Sequence, residues 1–222
     1  MQINVIDPQV IIQDRISPEM LRRIERFGRV CYKSEGRITE GSATRFVANL
    51  IRAGHESVIE HEKITVVFVT NRGVTHEIVR HRIASYSQES TRYCNYGGAI
   101  TFIKPFYFAE GSVQYREWYS AVTAAAEAYR KLLDLGAKPE EARGVLPNDL
   151  KTEIVVTCNL REWRHFFKLR CSKRAHPQIR QIAIPTLLKF RELLPVVFDD
   201  LEYDNDFPEK KYAKISWQGG LP

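Results

Sequence analysis

The chain has no run of about 18 consecutive apolar residues, the length a membrane-spanning helix needs. Its hydrophobic residues (44%) are interleaved with 27% charged ones. It has no C-x-x-C pair. The four cysteines, Cys31, Cys94, Cys158 and Cys171, stand far apart in sequence, so zinc-ribbon and dithiol-redox signatures are excluded. The expectation is four free thiols packed as small hydrophobes in a reducing cytoplasm. No apolar leader stretch follows Met1. There is no G-x-G-x-x-G, which argues against a Rossmann dinucleotide fold; Gly97-Gly98 and Gly219-Gly220 are isolated doublets. There is no G-x-S-x-G elbow. His55-Glu56 and Glu60-His61 invite a metal reading, but H-E-x-x-H fails at Ile59 and the inverted pattern fails at Ser57, so no metal site is expected. Internal repeats and low-complexity segments are also missing.

What remains is a 222-residue chain of formal charge +6, with a pI of about 9.1. A chain of this length buries roughly 70% of its unfolded surface and needs no staple. The expectation is a single domain spanning 1–222, with a polar C-terminal tail, 203–222, only loosely held. The positive balance favours anionic ligands. Basic residues are scattered as well as clustered, so nucleic acid is not required, and no membrane partner is expected.

The order of elements reads as mixed α and β without regular β-α-β alternation. Met1 to Ile6 alternates as a short strand. Ser17-Pro18-Glu19 opens a helix carrying Met20, Leu21, Ile24, Phe27 and Val30, and Ser42 caps a second one that closes at Gly54. Lys63 to Thr70 is β-branched and apolar on both alternating faces, as in a buried strand. Asn71-Arg72-Gly73 reads as a turn, and a short helix is expected from Val74 to about Ala84. Ala99 to Ile103 is a possible strand. A long helix over 113–135 has Tyr115, Trp118, Val122, Ala125, Tyr129 and Leu132 on its core face, and Pro139 opens a short helix ending near Gly144. Glu153 to Cys158 is a strand. Asn159 caps the next helix, with Glu162 completing a capping-box-like pattern. A last helix starts at His176, is interrupted at Pro185 and ends near Pro195.

The densest chemistry lies in RHRIASYSQESTRY. Arg80-His81-Arg82 places three basic groups side by side, and Ser85, Ser87, Gln88, Ser90, Thr91 and Arg92 follow. An isolated R-H-R is as simply read as a solvated helix face. The hydroxyls and amides behind it, and the buried strand before it, read better as a site wall. Arginine forks match phosphate oxygens, and neutral donors read a heterocycle. On the expected helix, Glu77, Arg80, His81 and Ala84 share a face.

Arg80-His81-Arg82, seven residues and Ser90 resemble the signature of the flavin-dependent thymidylate synthases. Three further segments fit that family in order: Gly54-His55-Glu56-Ser57 leading to Glu60-His61, Arg143 before Val145-Leu146-Pro147, and Asn159-Leu160-Arg161 leading to Leu169-Arg170. The resemblance implies a central sheet flanked by helices, in a non-Rossmann flavin-binding fold. It implies reductive methylation of dUMP to dTMP, with FAD as cofactor, and NADPH and 5,10-methylenetetrahydrofolate as co-substrates. It also implies a homotetramer with shared sites.

By the same resemblance, His55, Ser57, Arg80, His81, Arg82, Gln88, Asn159, Arg161 and His165 hold FAD. Glu77, Arg80, Gln88, Glu89, Ser90, Thr91, Arg92, Arg143 and Arg170 contact dUMP, and Arg170 is catalytic. Ser90 lacks an adjacent base and is expected to orient substrate. Glu77 stands where some members carry glutamine, Gln88 where some carry glutamate, and His165 where asparagine is frequent. Two other readings stay open at this level: a non-catalytic RNA- or nucleotide-binding module, and another flavin-dependent nucleotide methylase.

Overall fold

The computed structural model describes residues 3–96 and 98–218. Expectations placed on Met1, Gln2, Gly97 and 219–222 lie outside the described residues. From the N-terminus, β1 (Asn4–Ile6) and β2 (Gln9–Ile12) are separated by Asp7-Pro8, which interrupts the ladder. α1 (Glu19–Val30) and α2 (Ser42–Arg52) follow, burying Met20, Leu21 and Ile24 on one and Val47 and Leu50 on the other. Next come β3 (Lys63–Asn71), α3 (Arg72–Ile78), β4 (Ala84–Gln88) and β5 (Thr101–Ile103). α4 (Val113–Asp134) and α5 (Pro139–Ala142) precede β6 (Lys151–Asn159), which runs directly into α6 (Leu160–Arg170). α7 (Pro177–Leu193), α8 (Pro195–Phe198) and β7 (Lys214–Trp217) complete the described chain.

β3 and β6 pair antiparallel along their length, Lys63 opposite Asn159 and Asn71 opposite Lys151. They are the centre of a mixed sheet of order β4-β6-β3-β2-β7, with β4 and β7 as its edges. Ile64, Val66 and Phe68 of β3 are fully buried, whereas Thr65 and Val67 are half-buried. Burial on both faces, expected of the whole run, is thus confined to its last residues, where β5 packs against it. α6 and α7 line the covered face, and Trp163, Phe166, Phe167 and Phe190 form an aromatic core with Phe68 of both edge-to-face and stacked pairs. A smaller core joins Ile100, Phe102 and Leu150 to Val122, Ala126 and Tyr129 of α4. On α4, Ala126 takes the core position expected of Ala125, because 122, 126 and 129 are spaced i, i+4, i+7.

Several local expectations are corrected. Asn71 is a cap: its Oδ1 accepts the Val74 N–H at 2.8 Å, so α3 starts at the expected turn. α3 also stops at Ile78, well short of Ala84. The reason is the alternating ASYSQ run, which pairs with β6 as an edge strand. Tyr86 Oη, donating to the Ile78 carbonyl at 3.0 Å, closes the helix end. Ser42 is not the cap of α2. Gly41, at φ +78°, holds that position, and Ser42 Oγ reaches buried Glu25 instead. Cys158 and Cys171 are buried, and burial pushes both thiols up. Cys31 is exposed and Cys94 half-buried, so only two of the four thiols are core hydrophobes.

α7 is not interrupted at Pro185 but runs through it to Leu193. Pro185 has no N–H to offer the Gln181 carbonyl one turn earlier. That carbonyl is taken by the Ala213 N–H at 2.9 Å. The tail is therefore held: Phe207 and Ala213 are buried, and β7 adds parallel to β2. Replacing Ala213 with proline removes the donor and is expected to cost about 1–3 kcal/mol, the scale of an unsatisfied buried carbonyl. Urea unfolding checks it; an unchanged midpoint means the tail is not anchored there.

Candidate functional site

The β6–α6 junction builds one wall of a cleft. Asn159 Oδ1 accepts the Glu162 N–H at 2.8 Å, which fixes the start of α6. From there the helix buries Trp163, Phe166 and Phe167 and turns Arg161, His165 and Lys168 outward. These three, with Asn159, Glu162, Ile83, Glu56 and Glu60, line a cleft of about 470 Å³, inside the ~300–1,000 Å³ range of ligand pockets. The opposite wall is the 3-10 segment Glu56–His61. It contributes Glu56 and Glu60, while the expected flavin residues His55 and Ser57 are exposed beside the cleft without lining it. Arg161 bonds Glu60 at 2.5 Å in an exposed pair, the kind that is worth only about 0–1 kcal/mol and gives way to a ligand anion.

Arg80-His81-Arg82 is not a helical stripe. It lies in the connector between α3 and β4, so the shared face expected for Glu77, Arg80, His81 and Ala84 does not form. Arg80 and Arg82 are exposed and make no ion pair among the described residues. His81 points the other way and is buried. Its Nε2 accepts from Arg170 Nε at 3.0 Å, and its Nδ1 lies 3.2 Å from Glu162 Oε1. A guanidinium only donates, so Nε2 is unprotonated and Nδ1–H donates to the carboxylate. Burial, then the Arg170 charge, then His165 push the imidazole down to about 4. Burial raises the Glu162 carboxyl. Glu162 thus does not return a capping-box bond; its side chain serves His81.

The His81, Glu162 and His165 ligand atoms lie within 4.8 Å of one another. A divalent cation there would have to share His81 with a guanidinium, whereas metal-bound histidines direct their second nitrogen to a carboxylate or carbonyl acceptor. The donor set fits a hydrogen-bonded network better than a metal site. Arg170 completes that network. Its Nη1 donates to Glu77 Oε2 at 2.7 Å and its Nη2 to the Glu77 carbonyl at 2.9 Å.

The remaining candidates gather at the far end of β4. From Ala84 to Gln88 the strand advances four residues, roughly 13 Å, so the single chain does not bring them into the cleft. Gln88 Nε2 donates to Thr75 Oγ1 at 2.9 Å and lies 3.3 Å from Thr152 Oγ1. Glu89 accepts from Tyr96 Oη at 2.6 Å and from Lys151 Nζ at 3.2 Å. Burial and that carboxylate push the Tyr96 phenol up. Ser90 Oγ accepts the Arg92 N–H at 3.3 Å, and no imidazole bonds it among the described residues. Thr91 is buried and accepts from Arg143 Nη1 at 3.2 Å, while Arg92 sits 3.7 Å from Glu140 in an exposed pair. Arg92 and Arg143 therefore share one surface around Thr91.

Lys151 belongs to this cluster although no motif points to it. Its place beside Glu89 follows from the β4–β6 pairing, which sets Gln88 opposite Ile154 and the Glu89 N–H on the Glu153 carbonyl at 2.9 Å, a non-local pairing that no sequence spacing announces. Arg72, donating to the Glu89 carbonyl at 3.4 Å, escapes sequence reasoning for the same reason. Glu162 is legible only as a cap, and Lys168 only as a neighbour of Arg161 and His165 on their helix face.

A family model described as thymidylate synthase complementing protein matches residues 13–196. A flavin-dependent thymidylate synthase of Geobacter sulfurreducens is 37% identical over 192 residues, which is 83% of each chain. One of Pyrococcus furiosus is 34% identical, covering 78% of this chain and 74% of its own. The fold is similar to that of a crystal structure titled as the UMP/dUMP methylase PolB from Streptomyces cacaoi bound with 5-Br dUMP. The TM-score is 0.74 at 24% identity, over 89% of this chain and 96% of that one. No helix among the described residues is long and apolar enough to cross a membrane.

Proposed function

The chain belongs to the flavin-dependent thymidylate synthase family, and from that premise we propose that it methylates dUMP to dTMP with the two ends of β4 as its cofactor and nucleotide subsites. The non-catalytic RNA-binding reading is set aside by that membership. The single observation that carries the assignment is the sorting of side chains along β4. Asn159, Arg161 and His165 line the cleft at one end, and Ser90, Arg92 and Arg143 surround Thr91 at the other.

The cleft residues fit a flavin dinucleotide. Arg161 offers a cation at the N-terminus of α6, where anions bind, Lys168 adds a second from the last turn of that helix, and Ile83 and His165 offer an apolar and a flat flank. When bound, FAD supplies the hydride, drawn from NADPH, that completes the methyl group delivered by 5,10-methylenetetrahydrofolate. Asn159, Arg161 and His165 hold and orient it. Arg80 and Arg82 lie outside the one-chain cleft, next to exposed Ile83 and Val79. They reach a cofactor, with His55 and Ser57, where a second copy of the chain completes the site. This supports the homotetramer, which size-exclusion chromatography with light scattering tests.

At the other subsite, Arg92 and Arg143 present two guanidinium groups to a phosphate of nearly two negative charges, and Lys151 adds a third cation. Gln88, Glu89, Ser90 and Thr91 supply neutral and acceptor contacts for sugar and base. Arg170, bonded to His81 toward the cleft end of β4, polarises the pyrimidine as its ring accepts charge, so that the base points from the phosphate site toward the cleft, and Glu77 holds Arg170 until substrate arrives. Omitting FAD, NADPH or the folate one at a time should each abolish dTMP formation. Turnover that survives loss of flavin overturns the assignment. Arg143→Ala should raise the KM for dUMP by about 10- to 100-fold, the scale of a lost charge-assisted bond, with kcat little changed. An unaltered KM places the phosphate elsewhere.

A further inference from the structure

We propose that His81 is a positioning residue for Arg170: a neutral, Nδ1-protonated imidazole that is anchored by Glu162 and accepts the Arg170 Nε–H. This rests on the functional reading above and adds a role distinct from cofactor binding. The motif's two arginines are exposed while its histidine is buried between them, so the three residues do not act as one cationic cluster.

The geometry divides the Arg170 fork into a fixed and an exchangeable part. Nε is tied to a buried ring whose other nitrogen is itself tied to a mostly buried carboxylate. Nη1 is tied to the Glu77 side chain, which is 31% exposed. A pyrimidine carbonyl can take an Nη–H from Glu77 without disturbing the Nε bond. The guanidinium plane then keeps the orientation that His81 sets. His81 is packed against Phe166 at 5.0 Å between ring centres and edge-on to His165 at 5.4 Å, so its plane is fixed from two sides.

A guanidinium cannot accept, so the arrangement works only while Nε2 is bare. Protonating it removes the acceptor and sets a second cation against Arg170. The groups facing the ring are Arg170, Glu162 and His165 on α6, and, through Arg170, Glu77 on α3. Burial first, then the Arg170 charge and the nearby His165, keep the ring neutral down to acid pH.

The test compares His81→Phe, which keeps a ring and removes the acceptor, with His81→Gln, whose Oε1 restores one near the Nε2 position. His81→Phe should retain its flavin absorbance and its KM for dUMP. Its kcat at saturating dUMP should fall by about tenfold or more, the scale of one lost hydrogen bond to a charged group. His81→Gln should recover most of that loss. Adding His81→Phe to Arg170→Ala should cost little more, because both changes remove one interaction. Wild-type kcat should fall on acidification toward a limb near pH 4, and that limb should be missing in His81→Gln. Loss of flavin in His81→Phe, full additivity with Arg170→Ala, or an unchanged kcat each overturns the proposal. Should wild-type protein make no dTMP, the functional reading fails by itself. The tautomer remains measurable by 15N NMR of labelled histidine, and an Nε2–H imidazole at position 81 overturns the positioning role whatever the reaction.

Discussion

Arg164→Ala is expected to be the most destabilising single change at this site, costing about 3–5 kcal/mol, the scale of removing one partner from a buried ion pair. Arg164 is 2% exposed although it sits on α6 between cleft-facing residues. Its Nε donates to Glu56 Oε1 at 3.0 Å, and Nη1 and Nη2 donate to the two Asp200 oxygens, each at 2.6 Å. Nη1 also meets the Val197 carbonyl. One guanidinium thus ties α6 to the opposite cleft wall and to the turn after α8. Truncation leaves the half-buried Glu56 carboxylate and the Val197 carbonyl without their donor, as well as the space the buried guanidinium filled. At roughly 2–4 °C per kcal/mol for a chain of this size, the melting temperature should drop by about 6–20 °C. Arg161→Ala, three residues earlier, removes only an exposed pair and should cost under about 1 kcal/mol. Thermal unfolding of the two variants side by side decides it: equal melting temperatures mean that the Arg164 network contributes no more than the surface pair.

The largest effect on the reaction is expected at Arg170. Arg170→Ala should lower kcat at saturating dUMP by about 10²–10³-fold, the cost of losing one preorganised charge-stabilising donor. The KM should change much less. Arg170→Lys should not rescue it. The side chain uses Nε on His81 and two Nη donors on Glu77 at once, and an ammonium on a flexible stem cannot reproduce that planar fork. Folding is the control. Losing Arg170 leaves half-buried Glu77 unpaired, so circular dichroism must show that the variant is native before its turnover is compared. If Arg170→Ala runs at the wild-type rate under saturation, the group that polarises the pyrimidine is another residue.

Much of the framework is legible in the order of residues alone. The Asn159 cap, the outward stripe of Arg161, His165 and Lys168, and strands at Lys63–Thr70 and Glu153–Cys158, which the fold extends to Lys63–Asn71 and Lys151–Asn159, follow from capping chemistry, from helical period and from β-branched apolar runs. All are local, decided by residues within one or two turns of each other. The errors cluster where a local pattern competes with a distant partner. The helix expected to reach Ala84 ends at Ile78 because Ala84–Gln88 finds β6, some 70 residues later in the chain. The tail expected to be only loosely held is anchored because Pro185 leaves the Gln181 carbonyl for Ala213.

By itself, the sequence determined which chemistry the chain carries: which segments form elements, that anions are favoured, and which motif places arginines, a histidine and a serine in order. Only the tertiary structure decided how the motif is used. His81 looks, in sequence, like one of three adjacent cations. In the fold it is buried between Glu162 and Arg170, partners 81 and 89 residues away, and is held neutral. Lys151 reaches Glu89 only because β4 and β6 pair in one register, with Gln88 opposite Ile154. The physical reason is the same in each case. Charge state and hydrogen-bond role depend on burial and on the nearest opposite group, and folding sets both through contacts between residues far apart in the chain.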